Sequence, residues 1–232
     1  MMRFALLVLL SLSGAVAAPA LAQTVPALFA KAITPPPSTQ LYAFDFVDEN
    51  DGDKPSYIAG HIDPSKPKGE RATITVVRGE ETDLKKIKAR YERNSSGEDI
   101  WCDKLSSGAD GPISDRGETA GGRIFGFRPL PPKPDSDQRD LYKQLWAEML
   151  VDAETAQIRS FSARLLKPWK PIIIAKVYEV NMTGQCAPAP NGRTYTSRLD
   201  TAFRASALGI DIHANIIHTI SNLTPVAQAK EP

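Results

Sequence analysis

The sequence has little of what most enzymes are built on. Its 232 residues include three histidines, two cysteines and three tryptophans. It holds no G-x-S-x-G elbow, no H-E-x-x-H helix and no G-x-x-x-x-G-K-S/T loop. That removes the familiar serine nucleophile, the helical zinc site and the phosphate cradle. The glycines at 108, 111, 117, 121, 122 and 126 do not fit a dinucleotide fingerprint and read as loop and strand punctuation. There is no C-x-x-C, and no histidine stands beside either cysteine, so a metal or redox pair has no support. An excess of one charge is missing too, with 28 basic against 27 acidic residues. Nucleic-acid binding needs a cationic surplus. No repeat of fixed period is visible. Past residue 22, no apolar run approaches the ~20 residues of a membrane-spanning helix.

What is present starts at the N-terminus. Met1, Met2 and Arg3 form a basic start, Phe4 to Leu12 is almost unbroken apolar chain, and Ala20, Leu21 and Ala22 end it as A-x-A. That is the layout of a signal peptide over residues 1–22, cleaved after Ala22. No cysteine follows, so there is no lipobox. The expected product is exported, soluble and periplasmic. Cleavage takes away one Arg and no acid, which leaves the exported chain formally neutral. In an oxidising compartment Cys102 and Cys186 are expected as a disulfide, the alternative being two separate buried thiols.

Strand signals dominate the rest. Tyr42, Phe44 and Phe46 share one face by two-residue alternation, and Ser56 to Ile62 reads as the partner strand across the turn cluster 49–53. Arg71 to Arg78 is β-branched. Leu84, Ile87 and Tyr91 fall at helical spacing among lysines and arginines, which predicts a short amphipathic helix over 83–93. Its basic face is either solvated or a contact for acidic headgroups. Ile100 to Cys102 reads as a short strand, and Gly121 to Pro129 as another with Phe125 and Phe127 on one face. Ser136 or Asp137 can cap a further short helix. Leu145 to Asp152 and Ala156 to Leu166 form a hairpin. Lys170 to Thr183 reads as one long strand with Tyr178, Val180 and Met182 on one side. Arg193 to Ala207 returns with Phe203 on one side. Ile210, Ile212, Ala214, Ile216 and Ile220 line a face of the last strand.

The expected fold is mainly β (α+β): a large curved antiparallel sheet or incomplete β-barrel of eight to ten strands with one or two covering helices. Its organisation is signal peptide 1–22, Pro-rich N-terminal linker 23–37 that adds little to a core, single β-rich domain 38–223 and flexible tail 224–232.

Candidate chemistry is sparse. His213 and His218 are five apart on a strand, so they face opposite ways and cannot share a metal locally. His213 shares a face with Asp211, as a solvent-facing pair or as a base with its orienter. His218 joins the apolar row, either as a satisfied core residue or as one polar contact in an apolar cavity. Asp45, Glu148 and Glu179 lie in strands, but nothing brings them together as a hydrolytic pair. What remains is a broad apolar face, made by Tyr42, Phe44, Phe46, Phe125, Phe127, Tyr178, Val180, Met182, Phe203 and Ile216. It is either a packed core or the lining of a cavity for an acyl chain.

The segment from Leu145 to Thr155, L-W-A-E-M-L-V-D-A-E-T, resembles the L-W-x-D-x-x-T hairpin of periplasmic carriers of the Lol lipoprotein-sorting superfamily. The stretch from Ala147 to Val151 departs from that pattern. The resemblance implies an unclosed β-barrel over 41–222 with a helical lid that shields acyl chains. Carriers of that type also have a cavity-facing arginine. Arg164 is the nearest counterpart here, and the role is not transferred to it.

The functional expectation is a non-enzymatic periplasmic carrier or binder of an apolar ligand, a lipid or lipoprotein acyl chains, with no cofactor and no metal. Its partners would be that ligand or a lipidated protein, with transient membrane or envelope-protein contact. The rival readings are an envelope interaction domain with a filled core, and a hydrolase.

Overall fold

The computed structural model describes residues 26–34, 36, 38–80, 82–106, 109–131 and 139–227. The expected signal peptide with its cleavage point, the expected caps at Ser136 or Asp137, and residues 228–232 lie outside that set. Eleven strands form one antiparallel sheet: β1 Leu41–Asn50, β2 Ser56–Ile62, β3 Ala72–Gly79, β4 Ser114–Thr119, β5 Gly122–Phe127, β6 Leu145–Val151, β7 Ile158–Leu165, β8 Trp169–Ile172, β9 Ala175–Pro188, β10 Thr194–Ala207 and β11 Ile210–Val226. Their order is β3-β2-β1-β11-β10-β9-β7-β6-β5-β4, with β8 sharing the β7 side of β9. The sheet curves but does not close, so β3 and β4 end it as free edges. This is the mainly β, few-helix fold expected, with one strand and one helix more than the upper counts expected.

Among the described residues three α-helices sit with the sheet: α1 Ala27–Ala32, α2 Leu84–Arg93 and α3 Arg139–Tyr142. α2 begins where Asp83 accepts hydrogen bonds from the Lys85 and Lys86 N–H groups. It buries Ile87 completely and stacks Tyr91 on Phe46, ring centroids 4.3 Å apart. The Glu92 carboxylate, near its end, accepts from the Gly69 and Ala72 N–H groups and pins the helix to the start of β3.

α1 corrects the expectation that residues 23–37 add little to a core. Its Phe29 is 1% exposed and stands edge-on between Phe125 and Phe127, at 5.5 and 5.4 Å. Six residues behind a proline carry too little periodicity to announce a helix, yet one aromatic suffices to plug that half of the sheet.

Three further expectations change. The strand expected over 170–183 is a hairpin, because β8 turns back onto β9 through Ile173 and Ile174. Ile100 to Cys102 makes only a single bridge, Trp101 with Tyr195, before a 3₁₀ turn at Cys102–Ser106. The last strand runs to Val226, into the expected tail.

Buried side chains fall into separate clusters. One lies under α2 and holds Tyr42, Phe44, Phe46, Ile58, Ile62, Ile100 and Trp101. A second lies under α1 and holds Phe125, Phe127, Met149, Ile158 and Phe161. A third, by α3, joins Leu145, Val177, Val180 and Ala205. The segment 100–103 straps the first two together. Cys102 is disulfide-bonded to Cys186, 84 residues on. A loop of that size is worth about 4.6 kcal/mol in the chain-entropy model. Beside it Asp103 receives two hydrogen bonds from Arg193, at 2.9 and 2.6 Å, and Arg193 lies 4.1 Å over the Trp101 ring.

Candidate functional site: an apolar hollow with one polar pole

The hollow forms where two long strands part. β10 and β11 are paired from Ala207↔Ile210 to Arg198↔Thr219. Beyond that, β11 continues along β1 only, to Leu41↔Val226. The freed edge of β10 is taken by the strap, with Thr196 N–H donating to the Ile100 carbonyl at 2.7 Å. The α2 cluster lies on one side of this fork and the α1 cluster on the other. Between them remains a space of about 330 Å³, walled by Phe44, Phe46, Ile62, Ile100, Phe161, Leu199 and Ile220.

Two glycines lie against its aromatic walls. Phe46 lies across Gly60 on β2, and Phe161 lies across Gly184 on β9. A Cβ at Gly184 would stand only 2.0 Å from the Phe161 ring and would force that ring up into the space it borders, while one at Gly60 would meet the Thr73 backbone carbonyl at 2.4 Å as well as the Phe46 ring at 2.8 Å.

One end of the hollow is polar. Asp48 follows Phe44 and Phe46 on the inner face of β1 and sits opposite His218 of β11. His218 Nδ1 is 2.5 Å from Asp48 Oδ1, and the Tyr91 hydroxyl donates to Asp48 Oδ2. The pairing with a carboxylate assigns the proton to Nδ1. Arg90, Asn94 and Asp99 complete this pole. Burial is the largest influence on the Asp48 carboxyl and pushes it up. The hydrogen bond and charge of His218, with Tyr91 and Arg90, outweigh it and hold the carboxyl below the ordinary carboxylate range. Burial, then the Asp48 anion, push the Tyr91 phenol far above its usual value.

The expected site residues divide by place. Phe44, Phe46 and His218 line the hollow. Tyr42 is buried behind it, edge-on to Trp101 at 5.6 Å. Phe125 and Phe127 are packed under α1. Val180, Met182 and Phe203 belong to the cluster by α3. Tyr178 is exposed, and its hydroxyl is 3.3 Å from Ser206 Oγ. A β-bulge near Tyr178 breaks the alternation, since Arg204 pairs with Glu179 but Ala205 with Val177. Ile216 is 40% exposed on the same row of β11 as His218, as is Ile212. Phe203 and Ala205 of β10 pair with Ala214 and Ile212 on this row but are packed into the cluster by α3.

Asp48, Arg90, Tyr91, Phe161 and Leu199 escaped the sequence reading. Asp48 is in phase with Phe44 and Phe46, Tyr91 with Leu84 and Ile87 on the α2 face, and Leu199 with Phe203 on β10; Arg90 and Phe161 carried no such signal. Asp211 and His213 are both exposed, and the His213 backbone N–H donates to Asp53 at 2.7 Å. Arg164 is exposed on β7. Among the described residues, no group of three or more His, Cys, Asp or Glu side chains is placed to hold a metal ion. The one aliphatic hydroxyl in the lining, Thr196, sits 3.6 Å from the Cys102 sulfur.

Comparisons with protein-family models, with curated proteins and with solved structures find no match to this chain.

Proposed function

We propose that this protein is a non-enzymatic periplasmic carrier or binder of an apolar ligand, a lipid or a lipoprotein acyl chain. The observation that carries this reading is the hollow whose aromatic walls lie against glycines, continued on β11 by the half-exposed apolar side chains of Ile216 and Ile212. A packed core would be filled at native density. At about 330 Å³ the hollow is near the lower end of the ~300–1,000 Å³ seen for ligand pockets. It suits one acyl chain and not a bundle of several. The polar pole of Asp48, His218 and Arg90 then meets a headgroup or ester, while the chain lies toward Phe161 and Leu199. The A-x-A leader supports a periplasmic setting, and the disulfide agrees with an oxidising one.

The test is native mass spectrometry of protein purified from the envelope fraction, followed by displacement of a fluorescent C11–C12 fatty-acid probe. One bound chain per protein is expected. Leu199→Trp, which fills the hollow, should lower probe affinity at least tenfold. Failure to capture any co-purified or added lipid removes the proposal.

One observation favours a second reading. The free edges β3 and β4 offer unpaired backbone to an extended partner segment. An envelope interaction domain predicts no lipid capture and a partner lost when β4 is blocked by a proline. For a hydrolase working through His213, the outer-face placement predicts that His213→Ala changes nothing.

A further inference from the structure

The end of the sheet farthest from the strap carries an apolar crown that no other element among the described residues covers. The β8–β9 and β10–β11 turns lie side by side, joined by the Leu208 N–H donating to the Ile174 carbonyl at 2.9 Å. At their summits Ile173 is 100% exposed, Leu208 74%, Ile210 67%, Ile172 58% and Ile174 55%. Leu208 and Gly209 both take positive φ, which makes the second turn tight and lets the leucine project. The register aligns Ile172, Ala175, Ala207 and Ile210 in one row across four strands. Five large aliphatic side chains at one convex tip are far from the scattered single exposures of an ordinary surface.

Behind the crown stands a collar of opposite character. Lys167, Lys170, Lys176 and Arg204 flank the turns, against Glu179 and Asp211. Tyr178 lies in the collar, with the Lys176 ammonium 4.5 Å and the Arg204 guanidinium 5.8 Å from its ring centre. Aliphatic tips, then an aromatic with a polar end, then cations, is the sequence of environments across a bilayer surface from acyl chains to headgroups. A protein partner would call for aromatic or arginine anchors at the summit itself, or for a concave shape. The summit has neither.

We infer that the paired β8–β9 and β10–β11 turns are a membrane-docking tip. They insert their aliphatic crown into the acyl region of an anionic bilayer, while Lys170, Lys176 and Arg204 engage its headgroups. The docking surface is thus distinct from the basic face of α2. It does not depend on what the hollow binds, although the inner apolar row of β10 and β11 leads from this tip to the hollow.

The experiment is flotation of the full chain with vesicles of phosphatidylcholine alone, and of phosphatidylcholine with 30% phosphatidylglycerol. Binding to the anionic vesicles is expected, weakened by salt. Ile173→Asp, at a fully exposed position, should keep the native circular dichroism and reduce vesicle binding at least tenfold. A Lys170→Glu, Lys176→Glu pair should remove the preference for phosphatidylglycerol. Equal binding of wild type and Ile173→Asp overturns the inference. So does an absence of vesicle binding, or a wild-type dimer in sedimentation that Ile173→Asp converts to monomer, which would make the crown a contact between copies. Probe binding in the hollow by Ile173→Asp separates this result from the fate of the carrier proposal.

Discussion

Two acid–histidine pairs stand three residues apart on the same strand and live in different worlds. Asp45 faces outward, 2.7 Å from His61 on the neighbouring strand, with Asn222 donating to its other oxygen at 2.7 Å. Asp48 faces inward against His218 and Tyr91. Both carboxyls are held below the ordinary range, for opposite reasons. At Asp45 the Asn222 hydrogen bond is the largest influence, followed by His61, and burial hardly resists. At Asp48 burial is the largest influence and works the other way, so the low value depends on its partners. An odd step along a strand therefore separates a surface ion pair from a polar pole inside an apolar hollow.

The comparison breaks most easily from the inside. Asp48→Ala strands the Tyr91 hydroxyl and the His218 Nδ1–H at the hollow, and urea unfolding should show a loss of about 2–3 kcal/mol. His218→Leu leaves the Asp48 carboxyl with burial poorly opposed. Carbon-13 NMR titration should find it risen from below the ordinary carboxylate range to above it. His61→Leu is the matching control, and Asp45 should stay low because Asn222 still donates to it. Tyr91→Phe keeps the stacking on Phe46 and deletes one hydrogen bond, for about 1 kcal/mol by the same unfolding assay.

Acid sharpens the same contrast. A carboxyl whose folded pKa is depressed adds stability above its unfolded pKa and loses that contribution as pH falls toward the folded value. Stability should therefore decline below about pH 4. Asp48→Asn should flatten that decline more than Asp45→Asn, and added salt should erase only the Asp45 part. The smallest effect belongs to Asp45→Ala, about 0.5 kcal/mol at neutral pH, as expected of an exposed pair.

Periodicity made part of this legible. Phe44 and Phe46 announced their face, and the row from Ile210 to Ile220 marked out the last strand and placed His218 on it. The disulfide was expected from a lone pair of cysteines behind a leader-like N-terminus, and Cys102 and Cys186 are bonded. What failed had physical reasons. Asp48 and His218 are 170 residues apart, and only the β1–β11 register brings them together. The turn at Ile173 and Ile174 has no glycine, asparagine or proline of its own, so a run of β-branched residues read as one continuous strand. The bulge beside Tyr178 shifts the phase of β9 without leaving a mark in the sequence. The fork between β10 and β11, which makes the hollow, is a property of pairing and not of either strand alone.

The free edges β3 and β4 have a last consequence. In a sealed barrel the girth is set by strand number and shear, and widening it means breaking a ladder. Here no ladder joins the first and last strands, so the two flanks can spread about the β10–β11 fork with every rung intact. The strap at Cys102 and Arg193 tethers the floor while the rim stays free. An unclosed sheet tethered at one end can change its width without local unfolding; on the carrier reading proposed above, that would let ligands of different girth be accepted.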